Sequence, residues 1–348
     1  MVKLILRASK LTLNFCLRFS VGEFSSTYSV RVTLPKFQTE QIGFVVKMIP
    51  ENDPCRAYVF ETGLFEKENE VYFDLMPAIK FHCKSSLIEE MIPECVYGSH
   101  NMDGAGVLVF KCCSGQGFQN CQDPHGLKVE KIRSVIKAMA EFHASARVFV
   151  VKFGLNGVGK RYPSLCQDMY SNGMLVKEIS DCIESFDLLL NCAISTPKEN
   201  LSEDDLTEIQ TQFLKLKSCD AFLLLGNLRR HSKTGKLTTV VHGELWDRNL
   251  MLNDKFQVKI LDWKNAKLAS ATLDLAFLML SSTTFDVRED STNDLLKSYH
   301  TIYCQTLDKF NIPPEDQPSF RELMEDYQIS LQVAVLQVNT YYIVLTMY

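Results

Sequence analysis

The sequence predicts an α+β protein of two lobes, a small β-rich lobe followed by a larger helical lobe. Segments 28–34, 43–49 and 106–110 carry β-branched and aromatic residues between turn residues, a composition typical of strands. After Cys113 the pattern changes to apolar residues at helical spacing. These are Ile132, Val135, Ile136, Met139, Ala140 and His143. The chain has 348 residues, which is enough for two lobes with a large core.

The remaining elements follow from similar patterns. A helix is predicted over residues 64–75, between the second and third of these strands. In the second lobe, Ser202 with Asp205 three residues later predicts a helix start, and this helix extends to about Leu225. The junction near residues 107–115 is predicted to be a hinge. The first lobe then spans residues 1–113 and the second lobe residues 114–348.

Charge and cysteine spacing disfavour two classes of protein. The formal net charge is −5 without a long basic block, whereas a protein that binds nucleic acid through its phosphates needs a basic face. The 12 cysteines include no C-x-x-C pair, and Cys112 and Cys113 are the only adjacent two. This spacing does not suit a zinc site. We expect the cysteines to be small buried hydrophobes in a reducing compartment.

Neither end of the sequence predicts a membrane segment. Lys3, Arg7, Lys10 and Arg18 interrupt the first apolar stretch, so a signal peptide is not expected. Residues 331–348 carry no charge but include polar side chains, and they are short for a bilayer span of roughly 20 residues. A buried terminal helix is the preferred interpretation, with a membrane tail as the alternative. The predicted location is the cytoplasm.

The candidate chemistry lies in His-Gly-Glu-Leu-Trp-Asp-Arg-Asn at residues 242–249. Kinase catalytic loops follow the pattern H-x-D-x-x-x-x-N, in which the Asp orients the substrate hydroxyl and the Asn holds Mg²⁺. His242, Glu244 and Asn249 reproduce this spacing, with Glu in place of Asp. The loop therefore predicts a phosphoryl-transfer site whose acidic residue has changed.

Asn249 and Asp262 are the candidate metal ligands. Asp262 follows the strand-like run 258–260, and the intervening hairpin is short enough to bring both residues together, because Asn253-Asp254 favours a tight turn. Carboxylate and amide oxygens are suitable ligands for Mg²⁺. Any one of these residues alone would be interpreted as a turn residue, but the ordered set favours a functional site.

These motifs resemble those of the ecdysteroid kinase-like (CHK kinase-like) family, in the aminoglycoside phosphotransferase and choline kinase superfamily. The matching segments are His-Gly-Glu-Leu-Trp at 242–246, Asn249, Leu-Asp-Trp-Lys at 261–264, Asp-Leu-Ala at 274–276 and Phe-His-Ala-Ser at 142–145. The resemblance implies a two-lobed protein-kinase-like fold with a nucleotide-binding first lobe. It also implies ATP and Mg²⁺ as cofactors and a small-molecule alcohol as substrate, with a lipophilic, ecdysteroid-like steroid as the acceptor.

In the first lobe the resemblance assigns residues to the nucleotide. Lys47 is similar to the strand lysine that contacts ATP phosphates, and Glu68 to the helix glutamate that pairs with that lysine. Gly22, Ser25 and Ser26 belong to the turn that is expected to cover the phosphates through backbone N–H groups. Without the motif of the second lobe, Lys47 would be interpreted as a solvated edge-strand lysine and Glu68 as part of a solvated helix face.

In the second lobe the resemblance assigns the chemistry itself. Glu244 orients the acceptor hydroxyl, and Asn249 and Asp262 hold the metal. His242 and Asp274 are expected to brace the loop by hydrogen bonds. His143, Trp246 and Trp263 are predicted to be packing residues, with substrate stacking left open for the two tryptophans.

Several segments differ from the family pattern. They are Glu244 in place of Asp, Phe-Lys-Cys-Cys at hinge positions 110–113, Lys264 in place of Gln, and Ala-Ser-Ala at residues 269–271 in place of a Gly-Ser-Pro turn. A carboxylate displaced by roughly 1 Å can slow a reaction about 100-fold. Two functions therefore remain open: a slowed small-molecule kinase, or a pseudokinase that binds nucleotide or a lipophilic ligand without turnover.

Overall fold

The protein is described by a computed structural model that covers both predicted lobes. The described residues are 12–22, 25–33, 41–50, 53–84, 86–100, 105–121, 123, 125–167, 207, 211 and 235–347. The helix predicted from Ser202 to Leu225 lies outside these residues, except for Thr207 and Thr211, which are both helical.

The first lobe is built on a five-stranded antiparallel sheet with the strand order β1-β2-β3-β5-β4. Its strands are β1 Thr12–Gly22, β2 Ser25–Thr33, β3 Gln41–Met48, β4 Cys95–His100 and β5 Gly106–Lys111. The three strands predicted from composition are confirmed as β2, β3 and β5. β1 and β4, which complete the sheet, were not predicted.

Helical segments lie between β3 and β4 in the chain, and two of them, Leu64–Glu70 and Val71–Leu75, contact β4. They are α1 Asp53–Thr62, α2 Leu64–Glu70, a π-helical turn Val71–Leu75, α3 Met76–Cys83 and α4 Leu87–Met91. The helix predicted over residues 64–75 is confirmed, and it continues as α3. The widened turn lies just before Pro77, which has no backbone N–H and cannot continue an α-helical ladder unchanged.

The second lobe is dominated by long helices. Its elements are β6 Gln119–Asn120, α5 Val129–Phe153, α6 Leu155–Arg161, β7 Thr238–Val241, β8 Leu250–Leu252, β9 Val258–Ile260, β10 Lys267–Ser270, α7 Thr272–Ser282, α8 Phe285–Lys309 and α9 Phe320–Met347. All six predicted apolar-face positions of α5 are buried. α5 packs against α8, and α7 packs against α9. The expected two-lobed α+β architecture is therefore present.

Two small sheets hold the segments between these helices. β8 and β9 form the predicted hairpin, with β6 added beside β8, and β7 pairs with β10. The hairpin turn is wider than two residues. Asn253 Oδ1 accepts hydrogen bonds from the backbone N–H groups of Lys255 and Gln257, both at 3.0 Å, and Phe256 adopts a left-handed φ of 58°.

The described part of the C-terminal run without charge, residues 331–347, belongs to the helix α9, as predicted. Leu323, Tyr327 and Ala334 on this helix are buried in the core. None of the helices in the described part of the chain is both long and apolar enough to span a bilayer.

The cysteines whose side chains the structure describes are free thiols. Burial raises the pKa of the Cys83 and Cys121 thiols to about 11 and that of Cys95 to about 12. Thiols with such pKa values are poor nucleophiles near neutral pH. These residues therefore behave as the small buried hydrophobes that the sequence predicts.

Lys259 links the two lobes through hydrogen bonds. Its side chain is buried on β9, and Nζ donates to the backbone carbonyls of Glu89 at 2.9 Å and Ile92 at 3.1 Å, at the end of α4. These carbonyls have few other partners there because a helix leaves its last carbonyls without intrahelical donors. Lys259 therefore satisfies a helix end of the first lobe from a strand of the second.

We predict that Lys259→Met lowers the free energy of unfolding by about 1–3 kcal/mol, because the buried carbonyl of Ile92 and the partly buried carbonyl of Glu89 lose their donor. Urea unfolding of the full chain measures the change. Lys255→Met is the matched control, since Lys255 is exposed in the hairpin turn. Equal stability of the two variants would contradict the proposed link.

Candidate active site

A buried lysine joins three elements at the boundary of the two lobes. Lys47 Nζ lies 2.5 Å from Glu68 Oε2 and 2.6 Å from Asp262 Oδ1. Lys47 is on β3, Glu68 on α2, and Asp262 follows β9 of the second lobe. The structure therefore brings together three of the residues singled out in the sequence, over separations of 21 and 215 positions.

Lys47 and Glu68 are placed by the backbone of β3 and α2, independently of their ion pair. β3 is an interior strand, paired with β2 through Thr27 and with β5 through Leu108 at the level of Lys47. Because side chains alternate across a strand, Lys47 is buried while the adjacent Met48 is exposed. Glu68 is 1% exposed. A lysine and a glutamate buried this deeply require each other as partners.

Burial and charge act in opposite directions on this cluster. Burial alone lowers the pKa of Lys47, but the carboxylates of Asp262 and Glu68 outweigh it and raise that pKa. Burial alone raises the pKa of Asp262, but the ammonium groups of Lys264 and Lys47 hold it far below its ordinary value. Lys47 and Asp262 therefore remain charged across the neutral pH range.

The hairpin places Asn249 and Asp262 at neighbouring strand ends. Leu250 pairs with Ile260, and the backbone N–H of Leu261 donates to the carbonyl of Asn249 at 2.8 Å. Asp262 then takes a left-handed φ of 63°, which turns the chain sharply out of β9. This conformation is uncommon for residues other than Gly, Asn and Asp. The hairpin prediction for these two positions is thus supported by backbone pairing.

Glu244 and Asn249 are joined within the loop. Asn249 Nδ2 donates to the backbone carbonyl of Glu244 at 3.0 Å, so Oδ1 is the end of this amide that remains for a cation. The Glu244 carboxylate is 3% exposed and accepts a hydrogen bond from Asn265 Nδ2 at 2.6 Å. Lys264 Nζ lies 3.3 Å from the same oxygen, Oε2.

Asp274 braces this loop from the first turn of α7. Its carboxylate accepts backbone N–H groups from His242 at 2.7 Å and Gly243 at 2.8 Å. Gly243 has a φ of 84°, and a Cβ there would lie 2.3 Å from the carbonyl oxygen of Asn265. Only glycine fits both constraints without strain. The bracing expected of Asp274 corresponds to these contacts.

The two histidines near the loop have complete sets of partners. His242 Nε2 donates to the Leu261 carbonyl at 2.7 Å, while its Nδ1 accepts the backbone N–H of Glu244 at 3.2 Å. His143 contacts Asp274 at 3.1 Å and the hydroxyl of Tyr299 at 2.8 Å. His143 is therefore a packed histidine, as the sequence predicts.

The two tryptophans occupy different environments. Trp263 is fully buried, its Nε1 donates to the Ile260 carbonyl, and its ring packs edge-on against Phe142 and His242. Trp246 is half-buried with Arg248 over its ring. The packing prediction is confirmed for Trp263.

The described residues of the predicted phosphate-covering turn are paired in strands. Gly22 pairs with Ser25 at the end of the β1–β2 hairpin, and Ser26 pairs with both Val21 and Met48. Residues 23 and 24, between the two strands, lie outside the described residues. Since Thr27 pairs with Lys47, this hairpin end lies at the same end of the sheet as the lysine. A nucleotide role for Gly22, Ser25 and Ser26 stays a prediction.

Lys264 and Asn265 were not among the predicted site residues. Both are buried in a 3-10 turn directly after Asp262, and both contact the Glu244 carboxylate. In the sequence, Lys264 was noted only as a departure from the Gln of the family pattern, and no sequence feature singled out Asn265. A cation two residues after a candidate metal ligand is the feature that could have identified Lys264.

The oxygen donors of Asn249 and Asp262 suit a hard divalent cation, but the two oxygens of Asp262 already have partners. Asn249 Oδ1 and the Asp262 carboxylate are oxygen ligands of the kind that Mg²⁺ prefers. Within the described residues, no group of three or more His, Cys, Asp or Glu side chains forms a ready metal site. Both Asp262 oxygens already accept ammonium groups, from Lys47 and Lys264. The residues fit a metal that enters together with further oxygen ligands, such as those of a phosphate.

Comparison with known proteins gives one match at the family level. The model of the ecdysteroid kinase-like family matches residues 23–312. No curated protein matches the chain significantly.

Several solved structures are similar to the chain at low sequence identity. They include an aminoglycoside-3'-phosphotransferase of type VIII (16% identity, 94% of this chain and 97% of that chain, TM-score 0.40). A macrolide 2'-phosphotransferase from Brachybacterium faecium has 12% identity over 99% of this chain and 94% of that chain, with a TM-score of 0.45. A choline kinase from Cryptosporidium parvum has 10% identity over 94% of this chain and 82% of that chain, also with a TM-score of 0.45.

We predict that Asp274→Asn destabilises the protein in a pH-dependent way. Burial alone raises the pKa of Asp274, but hydrogen bonds and charge from His143 and His242 lower it overall. Near neutral pH the variant should lose about 3 kcal/mol of unfolding free energy, because buried N–H donors lose a charged acceptor. A lowered pKa makes this advantage present above about pH 4, the pKa of an unfolded Asp, and removes it as the pH falls further.

Urea unfolding of the wild type and the variant between about pH 7 and about pH 3 measures this difference. Asp254→Asn, in the exposed hairpin turn, is the control and should show little change at any pH. A stability gap for Asp274→Asn that stays constant down to about pH 3 would exclude the proposed ionised state.

Proposed function

The chain belongs to the ecdysteroid kinase-like family, and from this premise we propose that it is an ATP-dependent phosphotransferase. Its reaction would transfer the γ-phosphoryl group of ATP to a hydroxyl group of a small lipophilic molecule, with ecdysteroid-like alcohols as the acceptor class that the family description suggests. We propose residues 1–113 as the nucleotide-binding lobe and residues 114–348 as the lobe that carries the catalytic loop and the acceptor pocket.

One observation carries the proposal: the ion pair of Lys47 with Asp262 across the two lobes at 2.6 Å. It unites a buried cation of the kind that binds phosphates with a carboxylate of the kind that binds Mg²⁺. Glu68 holds the lysine from one side, and the loop with Glu244 and Asn249 approaches from the other. Phosphoryl transfer depends mainly on positioning and charge stabilisation, which such a cluster supplies.

The roles in the reaction follow from the chemistry of each group. The acceptor hydroxyl oxygen forms a bond to the γ-phosphorus while the bond from that phosphorus to the bridging oxygen breaks, and ADP leaves. Glu244 orients the hydroxyl and receives its proton. Lys47 leaves Asp262 to contact the phosphates, while Glu68 keeps it in the cleft.

A bound Mg²⁺ would supply charge neutralisation on the phosphate oxygens. Asn249 and Asp262 are the residues that would hold it. Their preorganisation by the β8–β9 hairpin and by the amide contact to the Glu244 carbonyl supports this assignment.

A pseudokinase that binds nucleotide without turnover is the alternative, and one observation favours it. The Glu244 carboxylate is turned toward Asn265 and Lys264 and is almost completely buried. A carboxylate held in this way must reorient before it can accept a proton from a substrate hydroxyl. The alternative therefore depends on how firmly these two partners hold Glu244.

We predict that the full chain, incubated with labelled ATP, Mg²⁺ and a panel of steroid alcohols, forms a phosphorylated product. Asp262→Ala and Glu244→Ala should each lower the rate at least about 100-fold, through loss of charge stabilisation and of the proton acceptor. Glu244→Asp should raise the rate by up to about 100-fold, because it restores the shorter reach. Asp254→Ala, in the exposed turn, is the control and should match the wild type.

The same experiment decides between the two functions. Clear ATP binding, no product with any acceptor, and no gain in Glu244→Asp would support the pseudokinase. Product formation that survives Asp262→Ala would contradict the assignment of this site.

A further inference from the structure

Lys264 places a second ammonium group inside the candidate site. Its Nζ lies 2.5 Å from Asp262 Oδ2 and 3.3 Å from Glu244 Oε2, and the side chain is buried. Asp262 Oδ1 is occupied by Lys47. Lys264 therefore bridges two carboxylates that come from different segments of the chain, 18 residues apart in sequence.

The backbone explains why a lysine at this position points back into the site. Asp262 has a left-handed φ of 63° and is followed by the 3-10 turn Trp263–Asn265. Trp263 is buried in the core, and Asn265 donates to Glu244. Anchored on both sides by these neighbours, Lys264 extends toward Asp262 and Glu244. The contact thus belongs to a rigid turn.

Lys264 reduces the net negative formal charge that the cluster presents to a metal ion. Lys47 and Lys264 contribute two positive charges, and Glu68, Asp262 and Glu244 contribute three negative charges, which leaves −1. Without Lys264 the same cluster would carry −2, the charge that one divalent cation neutralises. The lysine therefore removes much of the electrostatic reason for a divalent cation to bind between Asp262 and Glu244.

We propose that the Lys264 ammonium is an internal cation that occupies the position between Asp262 and Glu244 and competes there with divalent metal ions. The inference rests on the proposed function in taking this cleft as the nucleotide site. A divalent ion that approached Asp262 Oδ2 would meet the ammonium at a few ångströms, and repulsion at that separation lowers its affinity by more than about tenfold even in a well-screened site. Nucleotide binding then depends less on Mg²⁺ than the donor set alone would suggest.

The first test measures Mn²⁺ binding to the full chain without nucleotide, by the loss of the free-ion electron paramagnetic resonance signal. We expect Lys264→Gln to bind Mn²⁺ at least about tenfold more tightly than the wild type, because two carboxylates lose their internal cation. Lys264→Arg retains the charge and should bind as the wild type does. Lys255→Gln removes an exposed charge from the hairpin turn and should also match the wild type. Equal Mn²⁺ affinity of the wild type and Lys264→Gln would overturn the proposal.

A second test uses the wild type alone and therefore does not depend on folding of a variant. Titration calorimetry compares ATP binding in Mg²⁺ with ATP binding in a chelator. We expect the two dissociation constants to agree within about threefold, because Lys264 already neutralises the site. A dependence on Mg²⁺ of about 100-fold or more in the wild type would overturn the proposal.

The two tests separate this inference from the proposed function. If ATP binds under neither condition, the nucleotide assignment fails, and the Mn²⁺ comparison still decides the role of Lys264. If ATP binds and Lys264→Gln leaves Mn²⁺ affinity unchanged, the kinase assignment stands and the internal cation is rejected. Circular dichroism of each variant establishes that it is folded before either titration.

Discussion

The Asp262 carboxylate, with an ammonium group on each oxygen, is the interaction on which the arrangement of the site depends. Lys47 reaches it from the sheet of the first lobe and Lys264 from the turn that follows it. The Asp262 side chain is 25% exposed and those of Lys47 and Lys264 are 10% and 11% exposed, and charges with so little access to water are tolerated only when they are paired. Each ammonium group therefore has a second carboxylate partner from a neighbouring element. Glu68 on α2 pairs with Lys47, and Glu244 in the loop pairs with Lys264. The two lobes meet where these pairs are completed.

A second carboxylate, that of Asp274, fixes the loop that carries Glu244. Besides the buried side chain of His143, it binds the backbone N–H groups of His242 and Gly243, so the position of Glu244 is set through the main chain. Gly243 permits the close approach of the loop to the turn that carries Asn265. The site is thus held by one carboxylate that binds backbone N–H groups and another that binds ammonium groups. Only the second of these is partly exposed to solvent.

The sequence predicted the elements with strong periodicity and the residues with a family counterpart. The strands β2, β3 and β5, the apolar face of α5 and the β8–β9 hairpin follow from local pattern, and Lys47, Glu68 and Asp262 were identified from their resemblance to a known motif. Lys264 and Asn265 were missed for a physical reason. Their direction depends on the left-handed backbone of Asp262, and neither periodicity nor propensity encodes the turn that results. The π-helical turn before Pro77 and the edge strands β1 and β4 escaped prediction because their own residues give weak local signals.

The roles of Glu244 and Lys264 have to be considered together, because the two side chains contact each other. Taken alone, Glu in place of Asp lengthens the acid by one methylene and displaces its carboxylate by on the order of 1 Å. In the folded chain that extra reach lets Oε2 contact both Asn265 and Lys264. A shorter acid would leave the Lys264 ammonium with Asp262 as its remaining carboxylate partner among these contacts, and a neutral residue at 264 would leave Glu244 and Asp262 as like charges without that ammonium between them. Glu244 and Lys264 therefore both bear on the same question, namely which cation neutralises Asp262.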